Sequence, residues 1–248
     1  MSNNAIHLIM PMGGRGSRFS KEGFDLPKPL IEINRKPFFY WATQSIRKFV
    51  ALKSLTFVVL QEHIDEYKID EVIISYFPEA QFVVIPDVLN GAVLTCAEGL
   101  KNIHDDAPVI FNDCDHMFDC PAFYEFCKKG NFNEVDGALL TFTSNEPKYS
   151  FLEYDTNGNV IRTVEKQAIS NDAICGAYYF KNKKIFNESI DEYLRVCSYK
   201  EYFVSGLYNI MANKKQIIRG FKVAVHLPFG TPEEYDKAIG AATFEVLK

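Results

Sequence analysis

A loop rich in glycine and arginine follows the first apolar segment of the chain. It reads GGRGSR over residues 13–18 and comes directly after an apolar run at 5–12, which predicts a buried strand. Glycines permit positive φ and let a ligand approach the backbone, and amides near a helix N-terminus suit a phosphate group. The loop lacks the Gly-Lys-Ser/Thr of a P-loop, and Phe19 stands where a dinucleotide-binding motif needs glycine.

A lysine held between two prolines, Pro27-Lys28-Pro29, comes a short spacer later. Each proline fixes its own φ, and Pro29 also favours an extended conformation of Lys28. A stiff segment suits a cation that must meet a particular phosphate. Taken singly, glycines after a strand mark a tight turn and a lone lysine is a solvated surface residue. The combination favours a phosphate-binding site.

The two motifs together resemble the signature of the sugar-nucleotide pyrophosphorylases, a nucleotidyltransferase family. That signature is close to G-G-x-G-S/T-R-L/F, a spacer, and P-K-P-L/M. The resemblance continues more weakly in NGAVLTCAEGL, FNDCDHMF, VEKQAIS, CGAYYF and FGTPEEY. It implies a three-layer α/β/α fold with a mixed, mainly parallel central sheet, like that of nucleotide-diphospho-sugar transferases. It also implies a reaction in which an NTP and a sugar 1-phosphate give an NDP-sugar and pyrophosphate.

The same resemblance implies roles for individual residues. Arg18 would hold the triphosphate tail and the leaving pyrophosphate, Lys28 would contact the α-phosphate and the incoming phosphate, and Asp115 would hold Mg²⁺. Further contacts to the nucleotide would come from the phosphate loop and the loop beside the base: Met12, Gly13, Gly14, Arg15, Gly16, Ser17, Gly91 and Ala92. Contacts to the acceptor, its hydroxyls and its phosphate, would come from Glu165, Lys166 and Gly176.

The implied reaction requires no side-chain base. The attacking phosphate has a second pKa of about 6, so it is largely ionised at neutral pH. The chain has only five histidines and no obvious nucleophile–base motif, and we favour a structural role for His116. We therefore expect catalysis by positioning and by charge neutralisation from arginine, lysine and Mg²⁺.

Two positions depart from the family pattern. A second magnesium aspartate often precedes the late Gly-Thr-Pro-Glu stretch, but Pro228 stands there. Asp113 is a candidate replacement, because Asp113 and Asp115 would point to the same side if the strand continues. Otherwise one aspartate and the substrate phosphates hold the ion. Ser150 replaces a frequent glycine, which adds two candidate acceptors, an unusual sugar phosphate and another phosphomonoester such as phosphocholine. The alternative function for a non-sugar acceptor is that of a cytidylyltransferase.

Two other functions compete with this interpretation. Asp113-Cys114-Asp115 is a D-x-D sequence, the usual metal motif of glycosyltransferases with a related fold, but such an enzyme needs neither Arg18 nor the proline-flanked Lys28. A non-catalytic nucleotide-binding module is the other alternative, and the presence of Arg18, Lys28 and Asp115 argues against it. Release of pyrophosphate from an NTP distinguishes the transferase from both.

Alternating strands and helices must position these residues. Up to about residue 113, short apolar runs alternate with amphipathic segments, including a helix over 63–77, which predicts a parallel sheet covered on both faces. Later segments predict further strands, a hairpin turn at 155–159, helices over 184–197 and 201–215, and a strand over 217–227. We predict one domain over 1–248, in which about 1–130 binds the nucleotide and about 131–248 binds the acceptor.

Composition narrows the class of partner. The net charge of −5 argues against general nucleic-acid binding, and the lack of a signal peptide or a long apolar span predicts a cytoplasmic protein without membrane contact. The six cysteines form no C-x-x-C pair, so reduced thiols are expected. Cys114, His116, Cys120 and Cys127 fit no common zinc spacing, which favours buried thiols. An NTP and a small phosphorylated acceptor are the expected partners, and a homo-oligomer is possible.

Overall fold

A mixed β-sheet with helices on both faces forms the centre of the protein, in a computed structural model that describes residues 4–247. The strands are β1 (Ile6–Met12), β2 (Glu32–Ile33), β3 (Lys36–Pro37), β4 (Leu52–Leu60), β5 (Gln81–Ile85), β6 (Val109–Asn112), β7 (His116–Asp119), β8 (Gly137–Thr143), β9 (Ser150–Tyr154), β10 (Val160–Glu165), β11 (Asp172–Phe180), β12 (Ile218–Lys222) and β13 (Val225–Pro228). The helices are α1 (Ser17–Lys21), α2 (Phe38–Arg47), α3 (Gln61–Tyr67), α4 (Ile69–Tyr76), α5 (Ala92–Gly99), α6 (Pro121–Lys129), α7 (Lys183–Val196), α8 (Ser205–Asn213) and α9 (Pro232–Ala238). Three 3₁₀ turns are assigned at Lys28–Leu30, Leu100–Asn102 and Ala242–Leu247.

The strand order places a topological switch point beside β1. This strand pairs in parallel with β4 on one side and with β6 on the other, and β5 extends the β4 side. Beyond β6 the direction reverses, because β11 is antiparallel to both β6 and β8. Ligands of such sheets bind in the crevice at the carboxyl ends of the strands flanking the switch point. The loops after β1 and β6 are therefore brought together by the topology.

Two apolar layers hold the helices against the sheet. In β1, Ile6, Leu8 and Met10 face one layer with α2, α4 and α6, whereas Ile9 faces the other layer with α5, α7 and α8. This alternation follows from the two-residue period of a strand. The mixed, doubly covered sheet expected from the sequence is confirmed.

A third apolar cluster lies away from the sheet and supports the loops of the crevice. It joins Phe19 of α1 and Phe38 and Trp41 of α2 to Phe229 and Phe244 near the C-terminus. The Trp41 indole nitrogen donates to the Ile33 carbonyl at 2.9 Å, so the cluster also fixes the β2–β3 hairpin. The elements on either side of Lys28 are thus packed against the end of the chain.

Two sequence predictions of single elements are wrong. The helix expected over 63–77 is divided into α3 and α4 by Lys68, which has φ 52°, and the turn lets Ile69 and Ile73 face the core. The strand expected over 217–227 is divided into β12 and β13. The break occurs because the Val223 amide donates to β8, whereas the next amide, that of Ala224, donates to β7.

Lys28 also differs from the sequence prediction. It begins a 3₁₀ turn rather than an extended segment, since the Leu30 amide donates to the Pro27 carbonyl at 2.8 Å and the Ile31 amide to the Lys28 carbonyl at 3.2 Å. The segment is therefore restricted by these two hydrogen bonds and not by an extended backbone at Lys28.

None of the helices within residues 4–247 combines the length and the apolar character needed to cross a membrane.

Replacing Phe244 with alanine should destabilise the fold through the third cluster. The Phe244 side chain is fully buried, and its ring centroid lies 4.6 Å from that of Trp41. We expect Phe244→Ala to lower the free energy of unfolding by about 3–5 kcal/mol, measured by denaturant titration. Val196→Ala is the control, because Val196 is 62% exposed, and it should change stability by no more than about 0.5 kcal/mol. Equal effects of the two variants would contradict this packing.

Candidate active site

A cleft with two lobes opens at the carboxyl ends of β1 and β6. The first lobe, of about 350 Å³, is lined by Met12, Gly13, Gly14, Gly16, Gly91 and Ala92. The second lobe, of about 550 Å³, is lined by Arg18, Ser150, Glu165, Lys166 and Gly176. Both lobes are lined by Lys28, Asp113, Asp115 and Glu201. Most residues that the sequence analysis selected therefore meet in one place, with charged groups at the junction of the lobes.

The glycine loop is shaped by a close approach to Lys28. Gly16 has φ 62°, and a Cβ atom there would lie 2.6 Å from the Cβ of Lys28. Gly13 has a different reason to lack a side chain, since its Cβ would lie 2.6 Å from Cδ1 of Ile85. The loop is thus packed between β5 and the 3₁₀ turn.

Two arginines of the loop point in different directions. Arg18 is exposed and lines the second lobe. Arg15 instead forms ion pairs with Glu62 at 3.2 Å and with Asp87 at 3.0 Å on the outer surface. The Glu62 carboxylate raises the pKa of Arg15, and Asp87 adds to this effect. Arg15 therefore connects the glycine loop to α3 and to the segment that follows β5.

Gly91 carries the contact between the two halves of the chain at the first lobe. It precedes α5 with φ 96°, and a Cβ atom there would lie 2.4 Å from the Tyr202 amide nitrogen. The Val93 amide donates to the Tyr202 carbonyl at 3.2 Å. The segment before α8, which also carries Glu201, is therefore in direct backbone contact with the start of α5.

An ion pair between Lys28 and Asp115 lies at the junction of the lobes. The Lys28 ammonium donates to Oδ2 of Asp115 at 2.7 Å, and both side chains are largely buried. Burial opposes both charges, but the Asp115 carboxylate raises the pKa of Lys28 above its usual value. In return Lys28 holds the pKa of Asp115 below its usual value, against the effect of burial. Both groups are therefore charged near neutral pH.

Asp113 behaves differently from Asp115 although both line the two lobes. β6 ends at Asn112, so Asp113 and Asp115 lie in a loop and the continued strand considered from the sequence is not formed. A Cβ atom at Gly176 would lie 2.7 Å from Oδ2 of Asp113. Burial, with a further effect of the Asp115 charge, raises the pKa of Asp113 to about 7. One carboxylate is neutralised by Lys28, and the other holds a proton more readily than usual.

The carboxylates of Asp113 and Asp115 are suited to a divalent cation. Oxygen ligands are those that Mg²⁺ prefers, and it is commonly bound by one or two carboxylates together with substrate phosphates. Both carboxylates line the junction of the lobes, and burial and the Asp115 charge, which raise the pKa of Asp113, are effects that a cation there would oppose. The residues present therefore fit Mg²⁺.

The second lobe contains a carboxylate held by two serines. Ser150 donates to Oε1 of Glu165 at 2.5 Å, and Ser205 donates to the same oxygen. Burial raises the pKa of Glu165, and the serine hydroxyls oppose that shift. The next residue, Lys166, has φ 56° and places Nζ 5.2 Å from the centroid of the Phe203 ring. Glu165 is therefore held by two hydroxyl groups, whereas Lys166 lies near an aromatic ring, and both side chains line the second lobe.

The sequence analysis did not identify a further set of interacting charged residues in this lobe, which is centred on Glu234. Glu234 of α9 is buried and accepts hydrogen bonds from Tyr149 at 2.8 Å and from the Gly230 amide at 3.1 Å. Lys148 forms an ion pair with it at 2.9 Å. Tyr149 and Glu234 are 85 residues apart along the chain, so no local pattern could bring Lys148 and Tyr149 to Glu234 before the fold was known.

Asp113→Asn should change how stability depends on pH. Burial raises the pKa of Asp113 to about 7 in the folded protein, whereas the pKa of an unfolded aspartate is about 3.9. Between these values the folded state binds more protons, so the free energy of unfolding falls as pH rises. We expect wild type to lose more stability than Asp113→Asn between about pH 5 and about pH 8 in chelator-containing buffer, measured by urea titration. Asp106→Asn, at an exposed position, should keep the wild-type slope, and parallel slopes for all three proteins would refute the assignment.

Comparisons with known proteins show what this chain is similar to. D-glycero-α-D-manno-heptose 1-phosphate guanylyltransferase from Campylobacter jejuni is 28% identical over 222 residues, which are 80% of this chain and 93% of that protein. A nucleoside-diphosphate-sugar pyrophosphorylase from Vibrio cholerae RC9 has a similar structure, with a TM-score of 0.82, 21% identity, and coverage of 94% of this chain and 100% of that chain. The inositol-1-phosphate CTP transferase from T. maritima has a TM-score of 0.75 and 13% identity, with coverage of 98% and 94%.

The two solved structures show that the fold is shared, at sequence identities too low to carry function by themselves. The stronger finding is a family match that runs over residues 7–221, which include the whole lining of the first lobe and the lining of the second lobe as far as Phe203. It agrees with the resemblance inferred from the glycine loop and the proline-flanked lysine. The chain belongs to the nucleotidyl transferase family.

Proposed function

We propose that the protein transfers a nucleotidyl group from an NTP to a sugar 1-phosphate, giving an NDP-sugar and pyrophosphate. One observation carries the proposal: Lys28 stands at the junction of two lobes, where the reacting α-phosphate would lie between nucleotide and acceptor. The heptose 1-phosphate guanylyltransferase that resembles this chain supports a sugar 1-phosphate as acceptor. It does not decide the base, since the structural relative from T. maritima is a CTP transferase.

We assign the nucleotide to the first lobe and the acceptor to the second. The glycine loop and the start of α5 offer backbone amides to the NTP, so about residues 1–130 would form the nucleotide-binding half. The hairpin β9–β10, with β11 and the segment before α8, provides most of the opposite wall, so about 131–248 would form the acceptor half. Arg18 lines the second lobe, as Lys28 also does, and is assigned to the triphosphate tail and the leaving pyrophosphate, which would extend from the first lobe past Lys28 to reach it.

Lys28 is the central cation of the proposed reaction. Its raised pKa keeps it charged throughout the neutral range, and its ammonium can exchange the Asp115 oxygen for an oxygen of the α-phosphate. Preorganised cations in a largely buried site stabilise developing phosphate charge without reorientation. The attacking phosphate is already ionised, so no proton has to be removed by the protein.

We propose that Mg²⁺ is held by Asp115 and Asp113. When bound, the ion would neutralise phosphate charge and orient the phosphates. Asp113 is assigned as the second carboxylate because it lines the same two lobes as Asp115, whereas the family aspartate is replaced by Pro228. Asp115 would contribute a ligand that Lys28 keeps charged near neutral pH, and the bound ion would favour the charged form of Asp113.

The acceptor would be recognised by Glu165, Lys166 and the bare backbone at Gly176. Two serine donors fix Oε1 of Glu165, so the carboxylate is oriented before a hydroxyl group arrives. Lys166 is exposed at the lobe and is assigned to the acceptor phosphate. Ser150 occupies a position where sugar enzymes often have glycine, which keeps a different phosphomonoester, including phosphocholine, as the second candidate acceptor.

We also infer a cytoplasmic location, which the six free thiols suit.

Release of pyrophosphate provides the test of this function. The purified protein with Mg²⁺ is incubated with each of the four ribonucleoside triphosphates or dTTP and a panel of sugar 1-phosphates, inositol 1-phosphate and phosphocholine. Pyrophosphate that depends on both an NTP and one acceptor supports the proposal, and the acceptor identifies the class. NTP binding without pyrophosphate release with any acceptor would instead support a non-catalytic module.

Lys28→Ala should remove most of the activity while leaving the fold intact. Loss of one preorganised contact to developing charge typically lowers kcat by about 10²–10³. The measurement is steady-state pyrophosphate release, with circular dichroism as the check of folding. Lys21→Ala, an exposed lysine at the end of α1, is the matched control and should retain wild-type rates. Wild-type kinetics in folded Lys28→Ala would sink the assignment of Lys28.

Lys166→Ala should act on the acceptor rather than on the nucleotide. We expect a higher KM for the acceptor, with much less change in NTP affinity, because the lysine faces the second lobe. Glu165→Gln should alter which acceptor is preferred, since an amide replaces only part of the hydrogen bonding of a carboxylate. Separate titrations with NTP and acceptor decide this, with Lys184→Ala on α7 as control. Equal losses for both substrates would mean that the pair supports the fold instead.

A further inference from the structure

Three potential metal ligands meet in the wall of the second lobe, apart from the two aspartates. They are His116 of β7, Cys175 of β11 and His226 of β13, and all three line the lobe. One ligand atom from each residue lies within 4.8 Å of those of the other two. The sequence placed His116 near Cys114, Cys120 and Cys127, but antiparallel pairing of β7 with β13 instead brings it to His226.

The His116 ring is oriented by a hydrogen bond on its far side. Asn112 is fully buried and its Nδ2 donates to the Ala42 carbonyl at 2.9 Å, so its Oδ1 is left to face His116. The distance from that oxygen to Nε2 of His116 is 3.1 Å. Nε2 must therefore carry the proton, and Nδ1 presents a lone pair towards His226. Metal-binding histidines are commonly held in this way, with the other ring nitrogen donating to an oxygen.

The spacing of the two histidines suits a metal better than a direct hydrogen bond. Nδ1 of His116 and Nε2 of His226 are 3.4 Å apart, which is long for a hydrogen bond between ring nitrogens. Two nitrogen ligands at about 2.0–2.1 Å from a tetrahedral zinc ion lie roughly 3.3–3.4 Å from each other. Nε2 is therefore the nitrogen of His226 that faces the site. In the described part of the chain, Nδ1 of this ring is buried without a hydrogen-bond partner.

The third group determines which metals the site would accept. Cys175 is buried beside the lobe, and a thiolate with two imidazoles is a ligand set for zinc rather than for Mg²⁺. Zinc binding would replace the S–H proton of Cys175, which would be released to solvent. Three protein ligands leave one tetrahedral position open, as in zinc sites that bind a water or a substrate oxygen.

We propose that His116, Cys175 and His226 form a zinc site in the wall of the second lobe, with its fourth position open to the lobe. That position would take water or an oxygen atom of a molecule bound there. Its ligands differ from the carboxylates of Asp113 and Asp115, although His116 follows Asp115 directly in the chain. Zinc binding can therefore be measured without the proposed transferase reaction.

Cobalt binding to the whole chain tests the site without any substrate. Protein freed of metal by a chelator is titrated with Co²⁺ alone. We expect one equivalent to bind with thiolate-to-cobalt charge-transfer absorption, and Zn²⁺ to abolish that absorption by displacement. Co²⁺ taken up by the carboxylates of Asp113 and Asp115 would not contribute to this absorption, because these ligands are oxygen atoms. Cys175→Ser should remove the absorption, and His226→Gln should weaken Co²⁺ affinity by roughly 10-fold or more. Cys197→Ser is the matched control, because Cys197 is the one cysteine that is not buried, and it should behave as wild type.

Three results would overturn the proposal. They are the lack of thiolate absorption in wild type, its persistence in Cys175→Ser, and its loss in Cys197→Ser. If Cys175→Ser does not fold by circular dichroism, His226→Gln decides alone, and an unchanged Co²⁺ affinity in that variant refutes the site. Pyrophosphate release with Mg²⁺ is measured separately, so failure of the zinc site leaves the proposed function standing.

Discussion

The ion pair between Lys28 and Asp115 is the contact on which the rest of the cleft depends. It joins the loops that follow β1 and β6, the two strands at the switch point of the sheet. Three glycines make room for it and for the neighbouring carboxylate: Gly16 lies against Lys28, Gly230 against Asp115 and Gly176 against Asp113. A side chain at any of them would collide with a charged residue of the junction. The third apolar cluster, which includes Phe229, holds these loops at the required distance.

This arrangement places charged side chains in a largely buried site, where they lose hydration at a cost in free energy. A largely buried ion pair is weak evidence for stability, because the loss of hydration can exceed the attraction between the charges. Asp113 adds a second carboxylate beside Asp115, and burial together with that charge raises the pKa of Asp113. The cost must be met by the apolar layers on both faces of the sheet. Such a concentration of unfavourable electrostatics is typical of sites that exist for function rather than for folding.

Local motifs were predictable from the sequence, and long-range ones were not. The glycine loop and Lys28 are short segments whose backbone limits follow from glycine and proline, so their place in the cleft could be inferred. The continuous apolar run at 5–12 likewise predicted a buried strand. Glu234 and its partner Tyr149, or His116 and His226, come together only through strand pairing and helix packing over long separations. Lys68 divides a segment with helical periodicity because its φ is positive, and a lysine does not predict a positive φ.

The backbone contact at Gly91 has a consequence for how the two lobes respond to occupancy. The segment that touches Gly91 through Tyr202 also carries Glu201, which lines both lobes. The lobes therefore share a wall made from one short stretch of chain. Any displacement of that stretch by a molecule in one lobe alters the surface that a molecule in the other lobe meets. Thermodynamic reciprocity then requires that each occupant change the affinity of the other by the same factor.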